Sequence, residues 1–72
     1  MAEELRAEMV ANVARVVVGA GEVVPSGGMV VILESMKMEI PVLAEVGGTV
    51  VEVAVNEGDV VQEGDLLVVL GP

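Results

Sequence analysis

Short valine-rich runs alternate with glycine-bearing turns along this chain, and the whole pattern occurs twice. Shifting the sequence by 37 positions lays Val13, Val16, Val18, Gly21, Val23, Val24, Gly27, Val31 and Leu33 on Val50, Val53, Val55, Gly58, Val60, Val61, Gly64, Val68 and Leu70. Ala7-Glu8 likewise falls on Ala44-Glu45. Residues 35–41 are copied in neither half and read as a short linker at the crest of a pseudo-twofold fold.

Residues 1–4 read as a frayed start. Leu5–Val10 alternates in part and predicts the first strand. Glu, Leu, Arg, Ala and Met are also good helix formers, but the repeat partner Val42–Val46 follows Pro41 and reads as extended. Val13–Val18 and Val50–Val55 form the next matched pair, and strand period places Val51, Val53 and Val55 on one face. Each of these runs ends in a turn, Gly19-Ala20-Gly21 or Asn56-Glu57-Gly58, where Gly21 and Gly58 are expected at positive φ. Val23-Val24 and Val60-Val61 follow, each closed by a second tight turn at Gly27 or Gly64. The last pair, Met29–Leu33 and Leu66–Leu70, is unbroken in its apolar character and predicts burial on both sides or at a contact between sheets. Two copies of four short strands give about eight, and neither copy can cover its own apolar face alone. An all-β flattened barrel or sandwich is expected, with residues 1–72 forming one domain.

Composition agrees. Nineteen valines must supply much of the core, since the chain has no aromatic residue, and valine fits a pleated sheet better than a helix. No cysteine or histidine is present to staple so small a domain by disulfide or zinc. Twelve acidic residues against three basic ones give a net charge of −9. Such a surface repels nucleic acid and anionic membranes, which need a basic footprint; it serves solubility, with steering toward basic partner surfaces as a secondary reading. The N-terminal Met1-Ala2-Glu3-Glu4 has no basic or apolar signal region. The longest apolar runs have five residues, against the roughly 20 that a spanning helix needs. A cytoplasmic protein is the default expectation.

Catalytic chemistry is poorly served. There is no histidine or cysteine to act as base or nucleophile. Asp59, Glu63 and Asp65 cluster, but their spacing does not match a calcium loop, and they read as solvated turn acids. Gly19-Ala20-Gly21 is followed by no phosphate-loop lysine. A chain that catalyses nothing alone is expected.

Lys37, the only lysine, stands in Glu34-Ser35-Met36-Lys37-Met38-Glu39-Ile40. The chain must reverse here, and the tightest reversal puts Met36 and Lys37 at the two centres of a hairpin turn. Such turns take positive φ and recruit Asn or Gly; neither is present, and a broken local rule points to function. In isolation Lys37 would be a solvated turn residue and the methionines flexible apolar filler. Together at a hairpin tip they are partly exposed for no folding reason. A free lysine amine has a pKa near 10.4, so about one in two thousand is neutral at pH 7; it needs an activated acyl donor, which a partner enzyme can bring. Schiff-base catalysis would need burial or a cationic neighbour, whereas Glu34 and Glu39 are anionic.

The stretch Glu34–Glu39, with its Met-Lys-Met centre, resembles the attachment motif of biotin carboxyl carrier proteins and biotinyl domains. The resemblance runs from about Leu5 to Leu70 and includes Gly58–Val61 and Gly64-Asp65. It implies two four-stranded antiparallel sheets related by a pseudo-dyad. It also implies covalent biotin on Lys37, with Glu34, Ser35, Met36 and Met38 read by a biotin protein ligase. The implied role is a free-standing, non-catalytic carrier, monomeric alone, that shuttles carboxyl groups between a biotin carboxylase and a carboxyltransferase. The sequence departs from many relatives at Ser35, Glu8, Ala11 and Gly27-Gly28, which affects turns of the first half more than attachment. Two rivals are a lipoyl carrier, disfavoured because lipoyl domains generally lack methionine on both sides of the lysine, and an unmodified adaptor barrel.

Overall fold

The computed structural model describes residues 2–72; Met1, part of the expected frayed start and of the expected 1–72 domain, lies outside the described residues. Eight strands follow in order: β1 (Glu3–Arg6), β2 (Ala11–Val16), β3 (Val23–Val24), β4 (Met29–Ser35), β5 (Met38–Leu43), β6 (Gly48–Val53), β7 (Val60–Val61) and β8 (Leu66–Gly71). They form two four-stranded antiparallel sheets, β1-β8-β6-β3 and β5-β4-β2-β7, in a body of 34 × 17 × 17 Å. No helix among the described residues is long and apolar enough to cross a membrane.

The repeat read from the sequence is a repeat of hydrogen-bond register. β2 against β4 pairs Val13 with Leu33 and Val16 with Val31; β6 against β8 pairs Val50 with Leu70 and Val53 with Val68. The turns follow suit. The Ala7 N–H donates to the Asp65 carbonyl (2.8 Å), and its image, the Ala44 N–H, donates to that of Gly28 (2.8 Å). Gly58 N–H to Val13 O (2.8 Å) is matched by Gly21 N–H to Val50 O (2.8 Å), so each half closes a turn of the other.

Bulges are repeated too, and they change two expectations. Val51 is the extra residue between Val50 and Glu52 and faces solvent, so it does not share the inward face of Val53 and Val55. Ala14 is its image between Val13 and Arg15. In β4 and β8 the extra residues are Val30 and Leu67. An added residue turns two successive side chains inward, because the alternation slips by one. Val30-Val31 and Leu67-Val68 are therefore both fully buried, while Met29 stays exposed and Ile32 and Val69 half-buried. The unbroken apolar runs reflect a bulge in an inner strand, not burial on both faces.

The first strand also differs. It starts earlier, at Glu3, and ends at Arg6, leaving Ala7–Val10 outside it. Glu3 is ordered for a reason the sequence hides. Its carboxylate accepts from the backbone N–H groups of Glu45 (2.8 Å), Val46 (3.1 Å) and Gly47 (3.2 Å). Burial works to raise the Glu3 carboxyl, but the three donors of Glu45, Gly47 and Val46 outweigh it and hold the group below its ordinary value. The expected linker shrinks as well. Ile40 and Pro41 pair with Leu33 and Ile32 as Glu3 and Glu4 pair with Leu70 and Val69, so their backbone is repeated although their side chains are not.

Between the sheets lies an aliphatic core centred on Val13, Val30, Val31, Leu67, Val68 and Leu70. Burying each such side chain contributes about 1.5–3 kcal/mol. The turn acids outside it are structural: Glu22, Asp59 and Asp65 accept from the N–H groups of Gly19 (2.9 Å), Asn56 (2.8 Å) and Gln62 (2.8 Å).

Candidate functional site

The β4–β5 ladder runs from Met29–Leu43 up to Glu34–Glu39 and Ser35–Met38, and it leaves only Met36 and Lys37 to make the turn. Both have positive φ, 53° and 64°. They are the only described non-glycine residues that do so. Two successive left-handed residues are the signature of the type I′ turn, whose twist suits a tight hairpin. For side chains with a Cβ this costs roughly 1–2 kcal/mol per residue. The long ladder beneath, anchored by buried Val30, Val31 and Leu33, holds the turn in place.

Sequence reasoning placed Glu34, Ser35, Met36, Lys37 and Met38 at the site, and the structure gathers all five on this tip. Glu34 and Ser35 end β4, and Met38 begins β5. Lys37 is exposed, and among the described residues its amine has no hydrogen-bond or ion-pair partner. Met36 is 91% exposed and Met38 63%. Glu39 closes the motif read from the sequence but was not counted among the ligase-read side chains, and it too stands at the tip. It pairs with Glu34 across the hairpin, so two carboxylates stand opposite each other below the lysine. The signal was present: a two-residue turn at Met36-Lys37 forces that pairing.

Like charges directly opposite on a sheet repel, and an apolar thioether gains nothing by facing water. The tip therefore carries three features that folding alone does not favour: left-handed side-chain residues, exposed methionines and an acid pair. What it offers chemically is an unhindered primary amine on a rigid base. The nearby groove between edge strands β1 and β5, of about 400 Å³, is lined by aliphatics with Glu3, Glu4, Arg6, Glu8 and Glu45. That lining includes no nucleophile or histidine base.

Known structures share this architecture. The urea carboxylase of Kluyveromyces lactis aligns with a TM-score of 0.91 at 35% identity, over 99% of this chain and 6% of that one. The lipoyl domain of the 2-oxoglutarate dehydrogenase complex of Azotobacter vinelandii aligns at 0.76 and 30% identity, over 94% of this chain and 96% of that one. By sequence, the biotinylated protein TB7.3 homolog of Mycobacterium leprae is 60% identical over 48 residues, 67% of this chain and 68% of the relative. The chain spans about two thirds of the length of the curated relatives it matches. The biotin/lipoyl family model, described as biotin-requiring enzyme, matches residues 3–70. The chain belongs to the biotin/lipoyl attachment family.

Proposed function

We propose that this chain, as one carrier domain over residues 1–72, is a biotin carrier loaded on Lys37. One observation carries the reading: a lone, unpartnered lysine sits between two exposed methionines on a turn that two non-glycine residues hold in left-handed conformations. A biotin protein ligase supplies the activated acyl group. The donor is the acyl-adenylate of biotin: the Lys37 amine attacks its carbonyl, an amide bond forms as the acyl–phosphate bond breaks, AMP leaves, and the proton lost from nitrogen passes to solvent. Glu34, Ser35, Met36 and Met38 are the surface that the ligase reads.

Biotin, when bound, supplies the ring nitrogen that takes up and gives away a carboxyl group. The protein's own residues do the rest. The β4–β5 ladder fixes the base of the arm, and the lysine side chain provides reach. The tether raises the effective concentration of the arm at each enzyme it visits. The partners are a biotin carboxylase and a carboxyltransferase, and the chain itself is non-catalytic, monomeric and cytoplasmic. The relatives whose names mention biotinylation and the carboxylases of similar structure support this reading. Similarity to a lipoyl domain makes a lipoyl arm the second reading, and the methionines on both sides of Lys37 weigh against it. Intact mass after co-expression with a biotin ligase or with a lipoate ligase decides between them. A biotin adduct mapped to Lys37 is expected; a lipoyl adduct alone overturns the proposal.

A further inference from the structure

The composition leaves this chain with one kind of readily oxidised side chain. It has no cysteine, tryptophan, tyrosine or histidine, and it has five methionines. The structure puts two of these on either side of Lys37 and makes them the most exposed of those described. Met36 and Met38 are 91% and 63% exposed, against 40% for Met9 and 41% for Met29. Met9 also lines the groove between β1 and β5, whereas Met36 sits at the centre of a two-residue turn.

We propose that Met36 and Met38 form a reversible oxidation site that gates the loading of Lys37. The inference rests on the carrier reading. The oxidant is a peroxide. A lone pair on the thioether sulfur takes one peroxide oxygen as the O–O bond breaks, and the other oxygen leaves as water after proton transfer. Sulfur is oxidised by two electrons to the sulfoxide, and the peroxide is reduced. A methionine sulfoxide reductase drawing on a dithiol reverses the step.

The consequence follows from the size of the turn. An enzyme that acylates Lys37 must cover Met36 and Met38, because Met36 alone lies between Lys37 and β4, and Met38, the first residue of β5, follows Lys37 directly. A thioether is covered at little cost, but a sulfoxide oxygen is an acceptor that must keep a donor when water is removed. The carboxylates of Glu34 and Glu39 beside it only accept. The side-chain donors at the tip are the Ser35 hydroxyl and the Lys37 ammonium, and a sulfoxide that takes the latter ties up the amine to be acylated. Neither methionine belongs to the core cluster, so oxidation leaves the fold intact and acts only on recognition.

The test uses the full chain treated with graded hydrogen peroxide, then peptide mass mapping, circular dichroism and timed biotinylation by a purified ligase. Met36 and Met38 are expected to oxidise before Met9 and Met29, and loading is expected to slow about tenfold at unchanged circular dichroism. Sulfoxide reductase restores the rate. A Met36→Leu/Met38→Leu double variant keeps the apolar volume without the sulfur; its starting rate falls with the altered ligase-read surface, and peroxide is expected to leave that rate unchanged. Equal loading of oxidised and untreated chain overturns the gate, as does peroxide sensitivity that survives in the double variant. An untreated chain that takes no biotin at all instead overturns the carrier reading, and this inference with it.

Discussion

Two tight reversals on this molecule meet the same backbone demand in opposite ways. Between β5 and β6, Gly47 in the loop and Gly48 at the start of β6 carry φ of 90° and 146°. Glycine is required there twice over. A Cβ on Gly47 would lie 2.7 Å from the Val24 carbonyl oxygen, and one on Gly48 would collide with the carbonyl oxygen of Gly71. Glu3 binds the loop's N–H groups, and the Ser26 hydroxyl donates to the Glu45 carbonyl at 2.6 Å. At the Met36-Lys37 turn the conformation is also left-handed, yet neither residue is glycine, and no side chain caps it among the described residues. The first reversal is built for the fold. The second keeps side chains that the fold would trade for glycine, and the proposed loading of Lys37 supplies a reason for keeping them.

Lys37→Arg gives the largest expected effect and tests the second half of that contrast. Loading is lost outright, because a guanidinium cannot form the amide. Stability stays within about 0.5 kcal/mol, as for surface substitutions that touch nothing. Avidin binding and a denaturant melt read the two outcomes, and a variant that unfolds would show that the amine holds the fold. Gly48→Ala tests the first half. The clash is with backbone that cannot turn aside, so a loss of at least about 3 kcal/mol is expected in urea. A near-neutral result would mean that the loop is looser than its contacts imply. Met36→Gly separates the two reversals directly. Removing the Cβ from a left-handed residue should stabilise the chain by about 1 kcal/mol, while biotinylation slows because the apolar flank is gone. Stabilisation without slower loading would leave the strain unexplained by recognition.

The sequence carried the second reversal more fully than the first. Repetition at 37 residues exposed the duplicated strands, and a lysine turn without Asn or Gly exposed the tip. Positive φ was legible at Gly21 and Gly58, because each closes an apolar run, and the structure has it at both; it also has it at Gly27 and Gly64, where the sequence marked only a tight turn. The bulges at Ala14, Val30, Val51 and Leu67 were not legible. At Val30 and Leu67 the extra residue leaves no mark on a run that is apolar throughout, and at Val51 plain alternation with Glu52 and Ala54 offered a consistent face, so Val51 was placed on the wrong one. The order at Glu3 was hidden for another reason. Its partners are backbone N–H groups 42 to 44 positions away, and backbone donors have no sequence signature. A glutamate near a chain start looks the same whether it is bound or free.

That hidden contact supplies the smallest expected effect and the finest test of how the capped loop is held. The folded chain holds the Glu3 carboxyl below its ordinary value, so the unfolded chain binds the proton more readily. The stabilising contribution is therefore fully present above about pH 4.3, the ordinary glutamate value, and fades as the pH falls through the lowered folded value. Glu3→Gln keeps an oxygen to accept from the loop but removes the charge. At pH 7 it should cost about 1 kcal/mol, the difference between charged and neutral acceptors at a partly exposed site. Below the folded value the carboxyl in the parent chain is protonated too, and the two proteins should converge. Urea melts of both, at pH 7 and over an acid series that carries the parent's Glu3 carboxyl through its titration, read the difference of differences, which cancels the other eleven acids that titrate in parallel. A gap that stays constant with pH would mean that shape alone holds residues 45–47, and that the three N–H groups do not need an anion.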